Sequence, residues 1–119
     1  MSKLLINLTT AKDNPDKTVV AFVVANAGLA AGQEVTTFLS VEGVRLAISD
    51  YADDITSEGF KPLKELLAFY IENGGKIWVC PPCFKARELD ENKLIPGATF
   101  AGGAPVVELL AQGAASLSY

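Results

Sequence analysis

Residues 62–89, "PLKELLAFYIENGGKIWVCPPCFKAREL", decide the fold. In the first half, Leu63, Leu66, Leu67, Tyr70 and Ile71 recur at the helical period and fall on one face. Pro62 opens that helix and the Gly74–Gly75 pair stops it. "KIWVC" (76–80) then has the short, apolar, β-branched and aromatic character of a strand. "PPCFKAREL" begins a second helix, because two prolines are tolerated in a first helical turn. Helix, glycine turn, strand and helix in immediate succession are the units of a parallel βαβ sheet.

The rest of the chain repeats this alternation. "KLLINLT" (3–9) reads as a buried strand, and "TAKDNPDK" as the loop after it. Asn14 and Pro15 supply the N-cap and first residue of a helix over 16–32, which Gly32 closes. That helix is apolar on nearly all sides, so a partner as well as the sheet is expected to cover it. "QEVTTFLS" (33–40) is a second strand. Residues 41–61 are less regular: "VEGVRLAI" starts a short helix and the acidic "SDYADDITSEGFK" is expected as a surface loop. "GATFAG" (97–102), "APVVELLAQG" (104–113) and "AASLSY" (114–119) complete a strand, a helix and a last strand. The expectation is an α/β fold: one domain over 1–119, a three-layer, doubly wound sheet of about five mainly parallel strands, flavodoxin- or Rossmann-like.

Composition excludes several classes of function. The chain has 119 residues, half of them hydrophobic, enough for a core without disulfide staples. Its net charge of -4 argues against non-specific binding to nucleic acid or anionic membranes. No run approaches the roughly 18 apolar residues of a membrane span, and the start "MSKLLINLTT" lacks the features of a signal peptide. A cytoplasmic protein with reduced thiols is expected. There is no histidine, so no Ser-His-Asp or Cys-His pair can form within the chain. Two cysteines alone do not complete a zinc site, which leaves only a site shared between subunits; no metal and no cofactor are expected. Neither GxxxxGK[ST] nor GxGxxG occurs.

Chemistry therefore concentrates on Cys80 and Cys83. In an open parallel sheet, crevices lie beyond the carboxyl ends of the strands, and Cys80 ends one. With Pro81 and Pro82 as the first helical residues, Cys80 takes the N-cap position, where an anion is favoured and a lowered thiol pKa is expected. Lys85 and Arg87 add positive charge nearby. The spacing is that of a reactive dithiol, with an attacking sulfur and a resolving sulfur three positions on. The alternative is that both are small buried residues, as free cysteines often are.

The residues 4–47, "LLINLTTAKDNPDKTVVAFVVANAGLAAGQEVTTFLSVEGVRLA", resemble the opening of the DsrE/DsrF-like family of small sulfur-handling proteins. "IWVCPPCFKAREL" resembles the segment where sulfur-relay members carry a persulfide cysteine at a strand end, followed about two turns later by arginine and often glycine. Cys80 and Arg87 match; Glu88 stands where the glycine is common. "GATFAGGAPVVELLAQGAASLSY" (97–119) resembles the family's closing strand, helix and strand. The resemblance implies a homo-oligomer, trimer or hexamer, that holds sulfur as a persulfide on Cys80 and exchanges it with donor and acceptor proteins. Persulfide chemistry needs no histidine. Cys83 opens a second reading, a CxxC dithiol redox protein handling disulfides or peroxides. A third is a non-catalytic oligomeric binding or scaffold subunit with both thiols buried.

Other residues carry weaker signals. Thr9, Thr10 and Asn14 follow the first strand on the same edge as Cys80; they either line the crevice and bind a small anion, or serve as loop and capping residues. Asp50, Asp53, Asp54 and Glu58 form a solvated face, a patch for a basic partner, or a lid over Cys80. Phe69 lies off the apolar face of its helix, where a subunit contact would place it.

Overall fold

A computed structural model describes residues 2–119. Its strands are Lys3–Leu8 (β1), Glu34–Leu39 (β2), Lys76–Val79 (β3), Ala98–Phe100 (β4) and Ala115–Ser118 (β5). They form one sheet in the order β4-β3-β2-β1-β5, every pairing parallel. The helices are Pro15–Ala30 (α1), Leu63–Glu72 (α2), Pro81–Ala86 (α3) and Gly103–Ala111 (α4). The chain steps outward from β1 through β2 and β3 to β4, then crosses back to lay β5 on the far side of β1.

Each helix starts and stops for a local reason. Asn14 caps α1 by accepting the Lys17 backbone N–H at 3.2 Å, and Pro15 fills its first position. Gly32, at φ 81, closes its end with an N–H to the Leu29 carbonyl at 3.0 Å. The α2 face set by the periodicity is the buried one: Leu63, Leu67 and Tyr70 are buried, with Leu66 and Ile71 half-buried beside them.

The two faces of the sheet are unequally covered. Ile6, Leu8, Val35, Leu39, Ile77 and Val79 point to one side and join Phe22 of α1 and Leu67 and Tyr70 of α2 in the main core. Tyr70 is its anchor: wholly buried, its ring meets Phe22 edge-on at 5.5 Å. Its hydroxyl accepts from Thr37 Oγ1 at 3.0 Å and has the Lys76 and Val35 carbonyls as acceptors at 2.7 and 3.1 Å. Burial pushes that phenol up to about 12. On the other side Thr36 and Trp78 look toward Pro105 and Leu109 of α4 and Gln112 just past its end. No residue of α4 is fully buried, and its Val107 and Leu110 stay exposed; Phe100 and Leu117 are exposed at the two edge strands, on the face that carries the main core.

Residues 41–61 are more ordered than a surface loop. They hold two 3-10 segments, Val41–Ala47 and Tyr51–Asp54. Gly43, Val44, Leu46, Ala47, Ala52 and Ile55 are buried, because the first segment plugs the carboxyl end of the sheet above β1 and β2. The acidic residues remain at the surface. Asp54 pairs with Lys12 at 3.1 Å and Asp53 with Lys64 at 3.7 Å, while Asp50 and Glu58 are exposed.

Candidate functional site

The strand order fixes where the connections part. Helix α3 leaves β3 on the well-covered side, where Phe84 joins the main core and meets Phe100 edge-on at 5.1 Å. Helix α4 leaves the neighbouring strand β4 on the opposite side. The crevice of an open parallel sheet forms at such a switch, beyond the carboxyl ends. Cys80 stands there: it follows β3 directly, donates its N–H to the Leu39 carbonyl at 3.0 Å, and is the N-cap of α3. Pro81 and Pro82 are the first two helical residues, and Gly102, ahead of α4, lies against Pro81.

Both thiols are free and partly exposed, and both pack against the rim of the core. Burial pushes the Cys80 thiol above the ordinary cysteine range. The Cys83 backbone N–H pulls the other way, the Cys83 side chain pushes it up again, and the Arg87 charge pulls it down. The expected lowering by the helix terminus is therefore overturned. Helix α3 has six residues, its first two positions lack N–H groups, and Cys80 makes no hydrogen bond of capping geometry. Desolvation outweighs what is left of the dipole. Alkylation of Cys80 in the native protein, located by peptide mass mapping, should accordingly stay slow at neutral pH. The midpoint of its rise with pH should lie above about 8.5, where an unperturbed thiol is half ionised. A midpoint below that value would contradict a desolvated Cys80.

Arg87 is tied down from two sides. Its Nε donates to Glu42 Oε2 at 2.6 Å and its Nη1 to the Cys83 carbonyl at 3.1 Å. Glu42 also takes Arg45 Nε at 2.8 Å on its other oxygen, and the two guanidiniums, Arg87 foremost, hold its carboxyl below the usual range. Glu42 is the residue the sequence reading passed over. The signal was the pair of opposite charges in "VEGVR", three apart, directly after a strand that ends on the same edge as Cys80. Glu88, where the resemblance has glycine, adopts φ 54, the left-handed conformation that glycine takes without strain. Val41 is left-handed too, at φ 53, and half-exposed beside the ends of β1 and β2. A β-branched residue is strained there by about 1–3 kcal/mol.

The side chains of Thr9, Thr10 and Asn14 make no hydrogen bond to this cluster. β2 lies between β1 and β3, which puts Thr9 two strand spacings, roughly 10 Å, from Cys80. Their polar atoms are spent locally. Thr9 Oγ1 donates to the Tyr119 carbonyl at 2.9 Å, Thr10 and Thr18 hydroxyls share a hydrogen bond at 2.8 Å, and Asn14 caps α1. The loop and capping reading is the one the geometry supports. Among the described residues, no three side chains of metal-ligating type gather, and no helix is long and apolar enough to cross a membrane.

Comparison with known proteins agrees with this fold. The model of the DsrE/DsrF-like family matches residues 2–119. An uncharacterized protein of Methanocaldococcus jannaschii is 28% identical over 112 residues, 94% of this chain; the chain spans 41% of that relative's length. A second uncharacterized protein of the same organism is 34% identical over 99 residues, 83% of each chain. Among solved structures, a protein of unknown function from Methanobacterium thermoautotrophicum superposes with a TM-score of 0.78 at 14% identity. The ychN protein of E. coli does so at 0.74 and 14%. Both cover the full length of each chain, and at that identity they show the fold.

Proposed function

Because this chain belongs to the DsrE/DsrF-like family, we propose that it is a cytoplasmic sulfur-carrier protein that holds sulfane sulfur as a persulfide on Cys80. The supporting observation is the place of that thiol: partly exposed, at the carboxyl end of β3, where α3 and α4 part to opposite faces. The reaction asks for a nucleophilic sulfur that a donor can reach, and for no histidine. A raised pKa leaves less thiolate at neutral pH, but the thiolate of a more basic thiol is intrinsically the stronger nucleophile. Arg87, held by Glu42, keeps a positive charge on the anionic sulfur's side of the crevice. Donor and acceptor would be proteins or small sulfane compounds that reach this edge.

The carrier is proposed to work as a homo-oligomer, a trimer or hexamer. The exposed apolar residues of α4, Val107 and Leu110, are the surface a second copy would cover. Light scattering in solution is expected to give an integral multiple of the 12.6 kDa chain mass, three or six; a monomer would refute the assembly.

The function is tested by intact-protein mass spectrometry after brief exposure to inorganic polysulfide. Gain of one sulfur atom is expected. A protein unchanged in mass, with both thiols unmodified, would favour the scaffold reading instead.

A further inference from the structure

Resting on the persulfide reading, we propose that Cys83 is a resolving thiol that discharges the Cys80 persulfide as sulfide. The chain would then be a persulfide reductase as well as a carrier. Cys80 is the N-cap of α3 and Cys83 is its third helical residue. The N-cap and third positions of a helix face each other across its first turn, and the Cys80 thiol is not tied up in a capping bond there. Both cysteines are partly exposed and pack against the same rim of the core, one turn apart. Residues three apart on a helix have Cβ atoms roughly 5–6 Å apart. A disulfide asks for about 3.5–4.5 Å, so a small closure of one turn joins them.

The turn is also held ready. Pro81 and Pro82 fix φ at both intervening residues, and the Arg87 guanidinium clamps the Cys83 carbonyl at 3.1 Å while Glu42 anchors Arg87 at 2.6 Å. Both thiols are partly exposed, so a leaving sulfur has a way out. A protein that only stores sulfur is poorly served by a second thiol at this position, because that thiol competes with every acceptor.

The step balances without an outside oxidant. Cys83 attacks, as its thiolate, the inner sulfur of the Cys80 persulfide. The Cys80–Cys83 sulfur–sulfur bond forms, the bond to the terminal sulfur breaks, and its electron pair leaves with that sulfur as hydrosulfide. The sulfane sulfur is reduced to sulfide and the two cysteines are oxidised to a disulfide. A dithiol reductant then restores both thiols by exchange and is itself oxidised to a disulfide.

The test compares wild type with Cys83→Ser, each loaded with inorganic polysulfide, desalted without oxygen and left without acceptor. Cys83→Ser is expected to keep its added sulfur. Wild type should lose it on the order of tenfold faster or more, releasing one equivalent of sulfide and becoming lighter than the reduced protein by two hydrogens, with Cys80 and Cys83 joined in one peptide. If both proteins load and lose sulfur at the same rate, or if the wild-type disulfide joins two copies, the resolving role is overturned and the carrier reading stands. If neither loads, the carrier reading itself falls, and this inference with it.

Discussion

The Cys80→Ser protein is expected to gain no sulfur from polysulfide while folding as well as the parent. Serine keeps the size of the side chain and is a better N-cap than cysteine, so α3 and the edge it closes should hold their place. What is lost is the ionisable, polarisable nucleophile. A serine hydroxyl stays protonated throughout the pH range in which a thiol ionises, and nothing in this chain supplies a histidine to activate it. Loading should fall from about one sulfur per chain to none, with a melting temperature within a few degrees of wild type. Loading of Cys80→Ser equal to that of wild type would move the site elsewhere and sink the assignment. The structure makes the contrast with Cys83 sharp. Cys83 sits one turn further in, with its carbonyl bound to Arg87, whereas Cys80 stands at the strand end itself.

The sequence carried the fold where its signals are local. Branched apolar runs, the α2 periodicity, the Asn14–Pro15 start and the glycines after α1, α2 and α4 depend on neighbours a few residues away, and each element formed close to its expected bounds. The strand order is non-local. Nothing within "GATFAG" says that β4 is an edge, or that the next helix must cross the sheet to reach β1. The switch between β3 and β4, which makes the Cys80 edge a crevice, could not be read for that reason. The same divide runs through the site. That Cys80 caps a helix followed from Pro81 and Pro82 alone. The direction of its pKa did not, because burial comes from tertiary packing and the dipole it opposes is that of a six-residue helix missing its first donors. Glu42 and Arg87 are 45 positions apart and meet only when the plug over β1 and β2 is in place. Thr9 and Thr10 shared an edge with Cys80 as expected, yet a whole strand separates them from it.

That plug is held by a glycine, and Gly43→Ala is expected to cost more stability than any other single methyl group added near the site. Gly43 is buried where the segment Val41–Ala47 crosses the end of β1. Its N–H reaches the Thr9 carbonyl at 3.2 Å and the Ser40 carbonyl at 2.9 Å. A Cβ there would overlap the Leu8 carbonyl oxygen and lie 3.1 Å from its carbon. Both sides of that clash are backbone, so no rotamer change relieves it. The segment has to lift off the strand, weakening its bond to Thr9 and pulling Glu42 away from Arg87, the clamp on the Cys83 turn. The penalty should be about 2–4 kcal/mol, a fall in melting temperature of roughly 10 °C or more for a domain of this size. Gly103→Ala is the matched control. Gly103 is the first residue of α4, nothing lies within 4 Å of its added methyl, and alanine is the better helix former, so its effect should be neutral or slightly stabilising. Thermal unfolding of the two variants side by side reads the difference. If Gly43→Ala melts within about 2 °C of Gly103→Ala, the close docking of this segment on β1 is wrong, and the path from Glu42 through Arg87 to the cysteine turn goes with it.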